Sequence, residues 1–298
     1  MPTLQITPRG PFSLQAAAEF GFGPHAGQTL RYDGAMRLAF PVDGGRGYAG
    51  AILRQREPHG AVAVELTLTE GADPDAAVAQ VARVVSLDHD GDDFMRVGAR
   101  DPVIGELQQR HRGQRPVLFH SPYEGAAWSI ISARRPGAQA AGVREAIAEQ
   151  LGATFALAGT TLRAFPQPVR LLELPEDTSG LTPEKVARLR GIAEAALAGR
   201  LDVGHLHAIG PERANEEIQQ LKGLGPFYAG LVVVRASGFA DAMLQAAEPK
   251  VLAHAAGLYG LPAPLTLEQL TEMAGVWCPF RTWVTVLIRL AGDRSRRR

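Results

Sequence analysis

Cysteine is nearly absent. The 298 residues contain one, Cys278, so no internal disulfide, CxxC pair or cysteine-held metal cluster can form within the chain. Net charge is missing as well: 31 basic residues balance 31 acidic ones. That balance argues against a strongly basic nucleic-acid coat and leaves only a local basic patch open. Lysine is scarce, present at Lys185, Lys222 and Lys250 alone. No apolar run approaches the ~20 residues needed to cross a bilayer, so no membrane partner is expected. The opening residues lack a basic stretch followed by an apolar one, and a cytoplasmic location is the expectation. What is present is an ordinary 46% hydrophobic content in a chain long enough for two or three domains.

The first hundred residues carry short β-like runs at 36–42, 48–55 and 61–69, separated by Asp43-Gly44-Gly45 and Glu57-Pro58-His59-Gly60. Asp73 as cap and Pro74 in the first turn open an amphipathic helix over 74–87. Strands joined by short turns, with a helix over one face, predict an α+β unit with a small antiparallel sheet over residues 1–105. Beyond it helical stretches succeed one another at 122–132, 139–151, 182–198, 212–220, 226–236, 249–259, 267–274 and 281–290, with Gly- and Pro-rich connectors. An all-α body over 106–291 is expected, followed by a basic disordered tail over 292–298.

Two segments imitate ligand sites. Asp88-His89-Asp90-Gly91-Asp92-Asp93 looks like a calcium loop, but an EF-hand needs Gly in the sixth place and Glu in the twelfth. Here Gly91 is fourth and Ala99 twelfth, so a solvated acidic loop is expected. Gly21-Phe22-Gly23-Pro24-His25-Ala26 has no strand before it and no βαβ unit around it, which excludes a dinucleotide fingerprint. The eight histidines show no metal-ligand spacing, and His205 and His207 are read as surface or helix-end residues.

Leu221-Lys222-Gly223-Leu224-Gly225-Pro226-Phe227-Tyr228-Ala229 is the most informative stretch. It sits between two helical segments, and its glycines permit a turn too tight for residues with a Cβ. Pro226 suits the first turn of the following helix. Amides around Gly223 and Gly225 would then face outward at a helix N-terminus, a ready site for a phosphate held without sequence reading. The alternative is an ordinary helix-turn-helix corner in which glycine allows close packing.

Further stretches extend the pattern: Arg235-Ala236-Ser237-Gly238-Phe239-Ala240-Asp241, then Met243 to Leu252, and Trp277-Cys278-Pro279-Phe280-Arg281 before the last long helix. With Thr182 to Arg190 and Ser121-Pro122-Tyr123-Glu124, these resemble the helix-hairpin-helix (HhH-GPD) DNA glycosylase superfamily, in its 3-methyladenine DNA glycosylase II branch. The resemblance covers about residues 115–291 and is weaker for the N-terminal unit. It implies base excision repair on damaged double-stranded DNA by a nucleoid-associated monomer. The lesion nucleotide is flipped into a pocket, and a carboxylate helps break the N-glycosidic bond by stabilising oxocarbenium-like charge or orienting water.

Three departures qualify that implication. The family's catalytic Asp falls in register on Ala247, with Glu248 beside it. Glu248 is therefore the candidate catalytic carboxylate, with Asp241 as fallback; the alternative for Glu248 is a helix-start acid beside Pro249. The family's Gln and apolar wedge fall on Ala133 and Arg134, so Arg134 or Arg135 stacks into the vacated gap or holds a phosphate, unless both are a solvated pair. Strand-nicking relatives carry Lys where this chain has Phe227, which cannot form a Schiff base. Hydrolysis without lyase activity follows, and a single cysteine excludes the iron–sulfur cluster of other branches.

The same alignment makes Lys222, Gly223, Gly225 and Pro226 the DNA-contacting hairpin. It makes Phe227, Tyr228, Leu231 and Arg289 candidate lining of a base pocket, with plain helix core as the alternative for the first three. Arg289 stands where close relatives have an aromatic, which counts against an unchanged preference for cationic 3-methyladenine. Carbonyls of Gln219, Leu221 and Leu224 could hold a Na+ or K+ ion; no other cofactor is expected. The rival reading is a catalytically weak DNA-damage-binding relative, or a glycosylase for another lesion.

Overall fold

The computed structural model describes residues 3–20, 32–44 and 46–295. Strands β1 (Thr3–Ile6), β2 (Met36–Pro41), β3 (Tyr48–Gln55) and β4 (Val62–Leu68) form an antiparallel sheet in the order β1-β4-β3-β2. Alternation sorts their side chains onto two faces. Phe40, Leu53, Val62 and Val64 pack on helix α1 (Pro74–Val84) through Ala77, Val81 and Val84. Asp73 caps α1 by accepting the Asp75 N–H at 2.9 Å. The helix stops at Val84, short of residue 87, where Ser86 adopts φ +55°.

The opposite face of the sheet is covered by a hairpin, β5 (Ala153–Leu157) and β6 (Thr160–Ala164), which buries Phe155, Leu157 and Ala164 against Ala39. Gly50 permits that approach, since a Cβ there would lie 2.7 Å from the Phe155 ring. This hairpin corrects the expectation of an all-α body over 106–291. Its signal is Ala158-Gly159, both at positive φ, the two-residue turn that joins twisted antiparallel strands.

The remaining helices build two cores. The first lies among α3 (Pro122–Ser132), α4 (Gly137–Leu151), α5 (Pro183–Leu197), α6 (Pro211–Gln219) and α7 (Pro226–Ala236), around Ile131, Ile147, Leu189, Ile218 and Val233. The second joins α2 (Pro102–Arg110) to α8 (Pro249–Leu258) and α9 (Arg281–Ser295), through Ile104, Leu107, Leu252, Trp277, Trp283 and Leu287. Phe94 and Val97 also belong to this second core. The stretch before residue 105 thus packs with the C-terminal helices, and a boundary at 105 and 106 cuts through one hydrophobic cluster.

Two smaller expectations change. Asp90 accepts the Asp92 N–H at 2.8 Å and caps a short helix, Gly91–Met95, inside what reads as an acidic loop. α9 continues to Ser295, so residues 292–295 are helical rather than a disordered tail; residues 296–298 and the Gly21–Ala26 segment lie outside the described residues. Among the described residues no helix is long and apolar enough to cross a membrane.

A buried ionic cluster ties α3 to α4. Glu124 lies with Oε2 2.6 Å from His120 Nδ1 and accepts from Arg144 Nη2 at 2.6 Å. Burial pushes its carboxyl up, but the positive His120 and Arg144 outweigh that and hold it at about 2.

Candidate functional site

The turn between α6 and α7 needs glycine at one of its two positions. Gly223 has φ +94°, and a Cβ there would lie 2.8 Å from Ile130 Cδ1 and 2.9 Å from Arg188 Cδ. Gly225 has φ −73° and open space where a Cβ would stand. It is the N-cap of α7 and offers no side-chain cap, while Pro226 supplies no amide. The Phe227 and Tyr228 amides in the first turn therefore lack an intrahelical acceptor. Lys222, Gly223, Gly225 and Pro226 are all exposed, leaving the positive end of the helix dipole open to solvent.

Basic side chains gather on one flank of this turn. Arg134 follows α3 in the left-handed region at φ +57° and is exposed. Arg135 donates to the Gly180 carbonyl. Lys185 Nζ closes the end of α3 by donating to the carbonyls of Ile131 at 3.1 Å and Ala133 at 2.9 Å. Burial, and then the neighbouring Arg135, Arg188 and Arg134, push its ammonium down. Arg134, Arg135 and Lys185, with Arg188 paired to Glu184, thus lie on this flank of a chain with no net charge.

The length of α7 forms one wall of a cleft of about 180 Å³. Phe227, Leu231, Val234 and Arg235 recur at helical spacing and present one face to it. Glu248 and Val251 come from the start of α8, and Thr285, Val286 and Arg289 from α9. Glu248 Oε2 accepts the Val251 N–H at 2.6 Å, capping α8, and lies 3.5 Å from Arg289 Nε. Arg289 also pairs with Asp293 one turn further along α9. Glu248 is thus the helix cap of one of its two readings, and it also lines the cleft.

Asp241 does not line the cleft. Its carboxylate accepts from Arg281 Nε and Nη2, each at 2.7 Å, and from the Arg281 amide at 3.1 Å. Burial pushes this carboxyl up, but the Arg281 bonds outweigh it and hold it below the usual carboxylate range. With the Ala242 amide bonded to Thr282 Oγ1 at 2.8 Å, Asp241 pins the segment after α7 onto the start of α9, which removes it as a fallback acid.

Tyr228 is absent from the lining as well. One residue on from Phe227 it is turned about 100° around the helix. It meets Phe227 edge-on at 5.4 Å and packs against the first core. Phe227, 46% exposed, stands at the mouth of the cleft. Leu231 and Arg289 line the cleft.

Among the lining residues that escape the sequence reading are Arg235, Thr285 and Gln245. Arg235 is buried, donates from Nη2 to the Val117 carbonyl at 2.6 Å and lies with its guanidinium carbon 4.8 Å from the Phe20 ring centre. Burial first, and then the charge of Arg289, push this guanidinium down to about 9. Thr285 is buried, and its hydroxyl has no hydrogen-bond partner among the described residues. Helical spacing was the available signal: Arg235 is four residues after Leu231, and Thr285 four before Arg289.

Gln219, Leu221 and Leu224 bring three backbone carbonyls to the turn. Leu221 accepts the Leu224 N–H at 3.0 Å, which leaves a second lone pair. Neutral oxygen donors of this kind suit a hard monovalent cation.

No protein-family model matches the chain. A DNA-3-methyladenine glycosylase of Bacillus subtilis is 24% identical over 159 residues, 52% of this chain and 52% of that protein; the match spans about half the length of each. Among solved structures, the 3-methyladenine DNA-glycosylase from Archaeoglobus fulgidus is similar with a TM-score of 0.79 at 20% identity, covering 97% of this chain and 98% of that one. The 8-oxoguanine glycosylase/lyase of Clostridium acetobutylicum, in complex with duplex DNA, is similar with a TM-score of 0.66 at 17% identity over 96% of this chain and 93% of that one. These likenesses establish a shared fold.

Proposed function

We propose that this chain, a divergent member of the helix-hairpin-helix DNA glycosylase superfamily, is a monofunctional DNA glycosylase that acts as a monomer on duplex DNA containing a damaged purine. Alkylated purines of the 3-methyladenine type are the first substrates to consider, since the Bacillus subtilis relative carries that name. One observation carries the reading. A single helix, α7, presents an open N-terminus flanked by Lys222, Arg134 and Arg135 at one end, and along its length a cleft that holds a carboxylate.

In this reading the amides at Gly223 and Gly225 hold a phosphate, and a cation on the Gln219, Leu221 and Leu224 carbonyls would reinforce that grip by adding positive charge. The flipped nucleotide enters the cleft beside Phe227 and Leu231. Glu248, oriented by the Val251 amide, stabilises positive charge on the sugar as the C1′–N bond breaks. Water adds at C1′ and leaves an abasic site. Phe227 offers no amine, so the strand is not nicked.

Base release from duplexes carrying a methylated or a deaminated purine, wild type beside Glu248→Gln, tests the proposal. Release by wild type and its loss in the variant support it; no release from either, with duplex binding intact, overturns it. That second outcome is the signature of a lesion-binding relative without chemistry, a reading favoured by the engagement of Glu248 Oε2 with both Val251 and Arg289.

A further inference from the structure

The charge and donor pattern of the cleft differ from what a cationic base requires. Arg235 and Arg289 line it beside one carboxylate, Glu248, and one amide side chain, Gln245, and Arg289 also pairs with Asp293. The Glu248 carboxylate is already engaged by Arg289 and by the Val251 amide. Thr285 stands one helical turn from Arg289 on the same face of α9, with a buried hydroxyl that has no partner among the described residues. A buried hydroxyl without a partner costs stability unless a ligand completes it. Around these polar groups Leu231, Val234, Val251 and Val286 supply apolar walls for the faces of a ring.

Resting on the glycosylase reading above, we infer that this cleft prefers a neutral purine bearing a ring carbonyl over a cationic alkylpurine, with Arg289 and Thr285 as its specificity-determining side chains. The guanidinium donates only, and the hydroxyl can donate or accept. A base edge that satisfies both must present acceptors, as a carbonyl oxygen beside a ring nitrogen does. A cationic base would enter beside the buried Arg235 charge, with both nearby carboxylates, Glu248 and Asp293, already paired to Arg289. Burial, and then the charge of Arg289, push the Arg235 guanidinium down to about 9.

The chemistry of departure points the same way. When the C1′–N9 bond breaks, its electron pair goes to the base. A cationic alkylpurine leaves as a neutral molecule and needs no charge partner. A neutral oxopurine leaves as an anion, with the charge spread onto its carbonyl oxygen, and a guanidinium at that edge stabilises it. Glu248 stabilises the oxocarbenium on the other side of the breaking bond. Water then adds to C1′, and its proton ends on the departing purine, so the products are a neutral free base and an abasic sugar.

The experiment measures single-turnover base release by the full chain from two duplexes, one with hypoxanthine (neutral) and one with 7-methylguanine (cationic), which share the 6-carbonyl and differ in charge. Wild type is expected to give the larger acceleration over the spontaneous rate with hypoxanthine. In Arg289→Met the hypoxanthine to 7-methylguanine rate ratio should fall by about tenfold or more, the scale of one lost charged hydrogen bond. Thr285→Val keeps the side-chain shape and should move the ratio in the same direction, which retains the test if Arg289→Met folds poorly. A larger acceleration over the spontaneous rate for 7-methylguanine by wild type, or a ratio unmoved in both variants, overturns the inference while the glycosylase reading stands. Release of neither base from duplexes that are bound overturns the glycosylase reading itself.

Discussion

Glu248 Oε2 lies 3.5 Å from Arg289 Nε while accepting the Val251 amide at 2.6 Å. The first contact links α8 to α9 across the cleft, and the second fixes the carboxylate on the axis of α8. A carboxylate held in place by an amide and a guanidinium suits electrostatic stabilisation of a sugar cation.

Glu248→Gln separates those duties. Gln retains an acceptor oxygen, so the cap is weakened by roughly 0.5–1 kcal/mol. Single-turnover base release should fall by about 10²–10³-fold with the loss of the charge, while duplex affinity in a titration stays near the wild-type value. An undiminished rate would remove Glu248 from the chemistry.

The two hairpin glycines should respond in opposite ways. Gly223→Ala places a Cβ at φ +94° and 2.8 Å from Ile130, and thermal unfolding should show a loss of about 1–3 kcal/mol. Gly225→Asp meets open space at φ −73° and should leave the melting temperature nearly unchanged. Its carboxylate would face a phosphate, so duplex binding should drop for every sequence. Intact binding by Gly225→Asp would refute the hairpin as the DNA contact.

Lys222 and Arg134 are exposed beside the hairpin. If each neutralises one phosphate, Lys222→Ala and Arg134→Ala should each weaken binding to all duplexes and lower the slope of log affinity against log salt by about one. A salt titration with unchanged slopes would place these side chains off the DNA.

Glu124 links stability to pH. Its folded pKa of about 2 lies below the ordinary 4.5, so its contribution is complete above about pH 4.5 and is lost as pH falls toward 2. The scale is roughly 3 kcal/mol. Glu124→Gln should remove this acid-side dependence and, by stranding Arg144, destabilise the fold by about 3–5 kcal/mol. Urea unfolding at pH 3 and pH 7 reads both effects.

Much of the secondary structure was legible because its signals are local. α3 and α7 begin and end where the sequence places them, since Ser121 caps the first and Gly225-Pro226 opens the second. The hairpin turn was legible for the same reason: Gly223 satisfies a backbone requirement inside nine residues. The β5–β6 hairpin was not, because its strands are five residues each and only their packing on Ala39 completes them.

The site divides along the same line. Sequence alone determined that a glycine turn opens α7, that Phe227 cannot serve as an amine, and that Glu248 begins α8, because each follows from residue type and short spacing. It left open whether Glu248, Asp241 or Tyr228 reaches the cleft. Tertiary structure decided that: the Arg281 clamp on Asp241 and the facing of Arg235 and Thr285 across the α7–α9 wall depend on how two hydrophobic cores meet. Residues 50 positions apart share that wall, and no local pattern specifies such a distance.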